Sequence, residues 1–213
     1  MSKSHLFRGF QIHHESGIDP SLPPLLLLHG TGGDERSLGG LARIAAPSAP
    51  LLGMRGREME GTITRWFLRH GEGVFDLVDL ERRALELADC IEAATSHFGF
   101  AHKPIAFGYS NGGNITAGLL MRRPEVLGGA VMMRCMAGLE PKSGLALAGL
   151  PVLMLNGARD PLAPVDRQRQ LAGVLAAHGA SVTTRVAGPG HDLSEADGIA
   201  ARAWLTALAQ PSV

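Results

Sequence analysis

Short apolar runs recur along the chain, each closing on glycine or a polar residue: Pro24–Gly30 (PLLLLHG), Ala49–Gly56 (APLLGMRG), Lys103–Ser110 (KPIAFGYS), Gly129–Met136 (GAVMMRCM), Pro151–Gly157 (PVLMLNG) and Ser181–Gly188 (SVTTRVAG). Continuous rather than alternating apolar character predicts strands buried on both faces. Ahead of them, LFRGFQIHH alternates loosely and reads as an edge strand. Helical periodicity fills the gaps. In DLERRALELADCIEAATSHFGF, Leu80, Ala84, Leu87, Ile91, Ala94 and Phe98 recur at three- and four-residue steps and make one apolar face. Asp79 is placed to cap that helix, and Gly99 follows its end. GGNITAGLLMRRPEVL, PVDRQRQLAGVLAAHGA and LSEADGIAARAWLTALAQ complete the set, with Asp166 near the start of the second. Strands alternating with helices predict a doubly wound, mostly parallel α/β sheet with helices on both faces. Ligands of such sheets bind at the carboxyl ends of the strands, so chemistry is to be sought there.

Composition narrows the class. The chain has 213 residues, 45% hydrophobic, with a formal net charge of zero. That length suits one α/β domain, residues 1–213, with no linker or repeat. The charge balance and the lack of a basic run argue against nucleic acid or an anionic membrane as partner. Cys90 and Cys135 sit in apolar surroundings and read as buried free thiols of a reducing compartment. The start, MSKSHLFRGFQIHHE, has no signal-peptide core, and no apolar run approaches a membrane span. A cytoplasmic protein is expected. The histidines, His13 and His14 included, lack metal-ligand spacing, so neither metal nor cofactor is expected.

The residues at the strand ends carry the candidate chemistry. Gly108-Tyr109-Ser110-Asn111-Gly112 is a G-x-S-x-G turn between a strand and a helix. A sharp turn there pushes Ser110 into the cleft, and glycine two residues to either side removes colliding Cβ atoms. Taken alone, the pattern also fits a glycine-rich turn with a helix-capping serine. A serine hydroxyl needs a base and the base an orienting acid. Both follow in the order Ser…Asp…His. Asp160 lies just past Pro151–Gly157, and His191 follows Gly188-Pro189-Gly190. Asp160 before Pro161 is also a common structural turn, and Asp192 is a poorly placed competitor for the acid. Backbone N–H groups of Asn111 and of Thr31, in His29-Gly30-Thr31-Gly32-Gly33, are the candidate oxyanion donors. That glycine loop matches no nucleotide-binding pattern, and His29 is expected to support it. Trp66, Phe67 and Leu68 form an apolar cluster that reads equally as a substrate-pocket wall or as a loop anchor. Arg55 reads as a solvated arginine rather than a ligand for an anionic substrate.

The segments LLLLHGTGGDE, GYSNGG, LNGARDPLAP and GPGHDLSEAD resemble the α/β-hydrolase fold. Within it they are similar to the phospholipase/carboxylesterase family, the acyl-protein thioesterases and small bacterial carboxylesterases. MRGREMEGTITRWFLRHGEGVFDLVDL resembles the bacterial esterases of that group associated with hydroquinone resistance. The likeness runs from about Leu25 to the last helix. It implies a serine carboxylesterase without a large lid, with Ser110 as nucleophile, Asp160 as acid, His191 as base, and Thr31 and Asn111 as oxyanion donors. A small ester is the implied substrate. An acyl thioesterase or lysophospholipase, or a silent ligand receptor, is the alternative. GYSNGG departs from the group's more frequent G-F-S-Q-G-G at Tyr109 and Asn111. Members often form homodimers, which the resemblance raises here as well.

Overall fold

The structure is a computed structural model describing residues 4–136 and 138–209. Gln210, at the end of the last predicted helix, lies outside the described residues, as do the ends of the span expected to form one domain.

An eight-stranded sheet organises the chain. Its strands are β1 (His5–Phe7), β2 (Phe10–Glu15), β3 (Leu25–Leu28), β4 (Leu51–Met54), β5 (Ile105–Tyr109), β6 (Gly129–Met133), β7 (Pro151–Gly157) and β8 (Ser181–Gly188). The spatial order is β1-β2-β4-β3-β5-β6-β7-β8. Strands β3 to β8 run parallel to one another, and β2 lies antiparallel to both strands beside it, β1 and β4. The expected first edge strand is thus a hairpin. Its turn, Arg8-Gly9, has φ of 48° and 82°, the two left-handed residues a tight hairpin requires. Strands β3 to β7 are almost wholly buried, as their unbroken apolar runs predict. Strand β8 departs from that reading: it is an edge strand, and Thr184, Arg185 and Val186 are exposed.

Helices cover both faces. Helices α2 (Leu77–His97), α3 (Asn111–Arg122) and α4 (Val165–Ala177) pack Leu80, Ile115 and Leu171 against one side, with Leu26, Ala106 and Met132 of the sheet. Helices α1 (Gly39–Ala45) and α5 (Glu195–Leu208) pack Ala42 and Trp204 against the other, with Leu27, Phe107 and Val131. The period-two alternation of sheet side chains sends neighbours in each strand to opposite cores, which makes both layers necessary. Helix α1 escapes sequence reading because it is short and opens on two glycines, weak helix formers.

Between β4 and α2 the chain forms two small hairpins, Glu58–Glu60 with Ile63–Arg65 and Arg69–Gly71 with Val74–Phe75. Among the described residues there is no lid domain and no helix long and apolar enough to cross a membrane. Both cysteines are buried and free. Burial pushes the Cys90 thiol up to about 11 and the Cys135 thiol up to about 12.

The cap of α2 corrects the sequence reading. Asp76, not Asp79, is the N-cap, and its carboxylate accepts from the Asp79 N–H at 3.0 Å. Asp79 lies in the first turn, buried, where it accepts from the Leu68 N–H at 2.8 Å and pairs with Arg82 and Arg83. Asp76→Ala should cost about 1 kcal/mol in urea unfolding, the usual worth of a cap. Asp79→Ala should cost more, about 2–3 kcal/mol, because the Leu68 amide and two guanidinium partners lose an ionised acceptor.

Candidate active site

Ser110 occupies the joint between β5 and α3 with φ 51° and ψ −114°. A left-handed φ is unfavourable for serine by about 1–3 kcal/mol, so the surroundings must impose it. They do so by close backbone approach. A Cβ on Gly112 would stand 1.9 Å from the Leu28 carbonyl oxygen, and one on Gly108 would stand 2.6 Å from the Gly112 oxygen. The two glycines therefore let α3 begin against the end of β3 and fold back over β5. The Ser110 N–H donates to the Met133 carbonyl at 2.8 Å, fixing the turn to the next strand. The hydroxyl then projects at the carboxyl edge of the sheet, beside the N-terminal N–H groups of α3, where negative charge is favoured.

His191 and Asp160 reach the same place from the loops after β8 and β7. The loop after β7 and the loop after β8 are joined backbone to backbone: Ala158 and Arg159 N–H donate to the Gly188 and Pro189 carbonyls at 2.9 and 2.8 Å. A Cβ on Gly157 would lie 2.1 Å from the Gly190 oxygen, so this approach also needs glycine. In consequence the Asp160 carboxylate accepts from His191 Nδ1 at 2.8 Å, and His191 Nε2 meets Ser110 Oγ at 2.8 Å. The Leu162 and Ala163 N–H groups donate to Asp160 Oδ1 at 2.9 and 3.0 Å. A carboxylate can only accept, so Asp160 puts a proton on Nδ1 and leaves Nε2 free to accept from the serine. The motifs at three strand ends, in the order Ser…Asp…His, predict all three residues, and the structure joins them in one hydrogen-bonded chain. It is Asp160 that His191 Nδ1 meets, while the Asp192 carbonyl accepts from Arg134 at 3.5 Å.

A cavity of about 340 Å³ opens over Ser110 and His191. Thr31 and Asn111 line it, as do Phe75, Met136, Arg65 and Arg69. Trp66 and Phe67 do not. Both are buried in the core, and Leu68 is exposed, so the packing answers to the anchor reading and not to a pocket wall. The indole N–H of Trp66 donates to the His29 carbonyl at 2.8 Å, and its backbone N–H donates to Asn111 Oδ1 at 2.8 Å. One residue thus ties the glycine loop to the serine turn. His29 holds the same loop from the other side: Nδ1 donates to the Gly30 carbonyl at 2.6 Å, and Nε2 accepts from the Gly56 N–H at 2.9 Å. That pattern requires the neutral imidazole, and burial holds its pKa below the ordinary histidine value. Arg55 is paired with Glu35 at 2.7 Å.

Arg134 is a residue that sequence reasoning missed. It has φ 52°, and its side chain is wholly inaccessible. Its guanidinium meets Asp197 at 2.9 Å and donates to the Leu155 and Gly190 carbonyls, each at 2.9 Å. Asp197 in turn accepts from the Ser194 N–H at 2.9 Å in the capping box of α5. The pair therefore binds the backbone just before His191 to the start of the following helix. The available signal was a charge inside the apolar run GAVMMRCM.

Two outcomes test this framework. Arg134→Met should cost about 3–5 kcal/mol in urea unfolding because it strands a buried Asp197 carboxylate, and Arg134→Met with Asp197→Leu should recover much of it. His29 is neutral when folded and binds a proton more readily when unfolded. Its contribution to stability is therefore complete above about pH 6.5 and declines as pH falls from there toward the depressed folded value. Unfolding free energies measured from pH 5 to 7 should rise less steeply in His29→Gln than in the native protein.

No protein-family model matches the chain. MhqD of Bacillus subtilis (strain 168) is 42% identical over 192 residues, covering 90% of this chain and 95% of that protein. A carboxylesterase from Bacillus cereus superposes with a TM-score of 0.87 at 36% identity, over 93% of this chain and 94% of its own. YahD, solved with malic acid, gives a TM-score of 0.87 at 30% identity, over 93% of this chain and 98% of its own. Near-complete coverage at these identities, on the same eight-stranded scaffold, places the chain in the small bacterial carboxylesterase family of the α/β-hydrolase superfamily, alongside MhqD and YahD.

Proposed function

We propose that this protein is a one-domain serine carboxylesterase that cleaves small carboxylic esters through an acyl-enzyme on Ser110. The observation that carries the reading is the unbroken chain Ser110–His191–Asp160, with both links at 2.8 Å, drawn from three separate strand ends. His191 Nε2 takes the Ser110 proton as Oγ attacks the ester carbonyl. The developing oxyanion is received by the backbone N–H groups of Thr31 and Asn111, and each such donor is worth about 3–4 kcal/mol of barrier. His191 then returns the proton to the leaving alcohol. Water, deprotonated by the same imidazole, attacks the acyl group and restores the serine. Asp160 keeps the ring in the useful tautomer and stabilises its charged form. The chemistry draws only on these side chains and amides. Membership in a carboxylesterase family and the malic acid bound by YahD, a small organic acid, both support a small-molecule substrate.

The test is direct. A fluorophosphonate probe should label native protein at Ser110, and p-nitrophenyl pentanoate should be hydrolysed. Ser110→Ala should lose labelling and at least about ten-thousandfold in kcat, with an unchanged melting temperature or a higher one, since alanine removes only the hydroxyl. Turnover that survives in folded Ser110→Ala overturns the reading.

A further inference from the structure

Building on the ester-hydrolase reading, we propose that Arg65 makes an anion subsite in the cavity beside Ser110, and that the preferred ester carries a carboxylate on a short chain. The starting point is a buried cation that the protein leaves incompletely neutralised. Arg65 ends the hairpin strand Ile63–Arg65, has a side chain only 5% exposed, and lines the cavity together with Ser110 and Thr31. Its hydrogen bonds go to neutral oxygens: Nη1 donates to the Thr31 hydroxyl at 3.1 Å and Nε to the Phe67 carbonyl at 3.4 Å. Among the described residues, Nη2 donates to no protein group. The nearest carboxylate, Glu60, stands 3.6 Å from Nη1, beyond a good hydrogen bond. Glu60 is instead committed to Arg69, whose Nε and Nη2 both reach it at 3.0 Å.

Two guanidiniums therefore share one carboxylate, and the cluster keeps a positive charge. Burial, with the Arg69 charge adding to it, draws the Arg65 pKa below the ordinary arginine range. That is the mark of a cation short of counter-charge. The acidic residue on the cavity wall, Glu72, is exposed at the turn of the second hairpin. A substrate carboxylate entering here meets a planar donor fork, the best partner such a group has. A fatty acyl chain would exclude water from Arg65 and give it nothing in return. Position sets the spacer. Arg65 holds the side chain of Thr31, whose backbone N–H is a proposed oxyanion donor, so the anion lies only a few bonds from the carbonyl under attack. Phe75, Met136 and Leu162 supply apolar surface for those intervening carbons.

Mono-p-nitrophenyl glutarate and p-nitrophenyl pentanoate have the same leaving group and similar acyl length, and differ in one terminal carboxylate. At low salt, after subtraction of spontaneous hydrolysis, the native protein should favour the glutarate ester in kcat/KM. The expected factor is about tenfold to a hundredfold, the worth of a charge-assisted hydrogen bond. The ratio should shrink as salt is added. It should fall several-fold in Arg65→Lys, which keeps the charge and loses the fork, and reach one or less in Arg65→Met. A native ratio of one or less overturns the subsite, whether or not Arg65→Met folds. If pentanoate is cleaved and Ser110 is labelled without any glutarate preference, the subsite fails while the hydrolase reading stands. If neither ester is cleaved, the hydrolase reading fails, and free glutarate decides the subsite: a melting temperature that climbs with glutarate but not with butyramide, and climbs less in Arg65→Lys, supports it, and any other result overturns it.

Discussion

Everything at the carboxyl edge of the sheet depends on the unfavourable backbone of Ser110. A serine held at positive φ persists only where its neighbours leave no relaxed alternative. Here the carbonyl of Leu28, the start of α3 and the Met133 carbonyl remove the alternatives together. The burial of β3, β5 and β6 between two helical layers makes those neighbours immovable. The stability of the core is thereby spent locally on a strained turn that presents one hydroxyl. The remaining machinery has only to arrive at that point.

It arrives by backbone contacts more than by side-chain ones. The loops carrying Asp160 and His191 are bonded to each other before either side chain enters the account. Arg134 and Asp197 then fasten the His191 loop to α5. On the opposite side, Trp66 and His29 fasten the glycine loop to the serine turn. The groups that touch no reacting atom outnumber those placed to do so. They hold the geometry that hydrogen-bond distances near 2.8 Å demand.

What could be read from the chain follows from which constraints are local. Pro151–Gly157 is legible to the residue because a strand buried on both faces must be apolar throughout. Ser110, Asp160 and His191 are legible because each chemical group follows its own strand within a few residues. Trp66 was ambiguous for a physical reason: a large apolar side chain looks alike whether it faces a core or a cavity, and only the distant partners His29 and Asn111 decide between them. Arg134 and Arg65 are not legible because their meaning lies in residues far along the chain, Asp197 for one and Thr31 for the other. Asp76 and Asp79 lie one helical turn apart, both where a cap is plausible, and only the fold shows which carboxylate faces the free amides.

The two thiols have a bearing on reactivity that their burial alone does not suggest. Sulfur is ordinarily the stronger nucleophile in a protein, but only as the anion. With Cys90 raised to about 11 and Cys135 to about 12, almost no sulfur anion exists near neutrality. Electrophiles that cysteine would elsewhere capture find little thiolate here. Burial of both sulfurs thus quiets two rivals of the nucleophile proposed at Ser110.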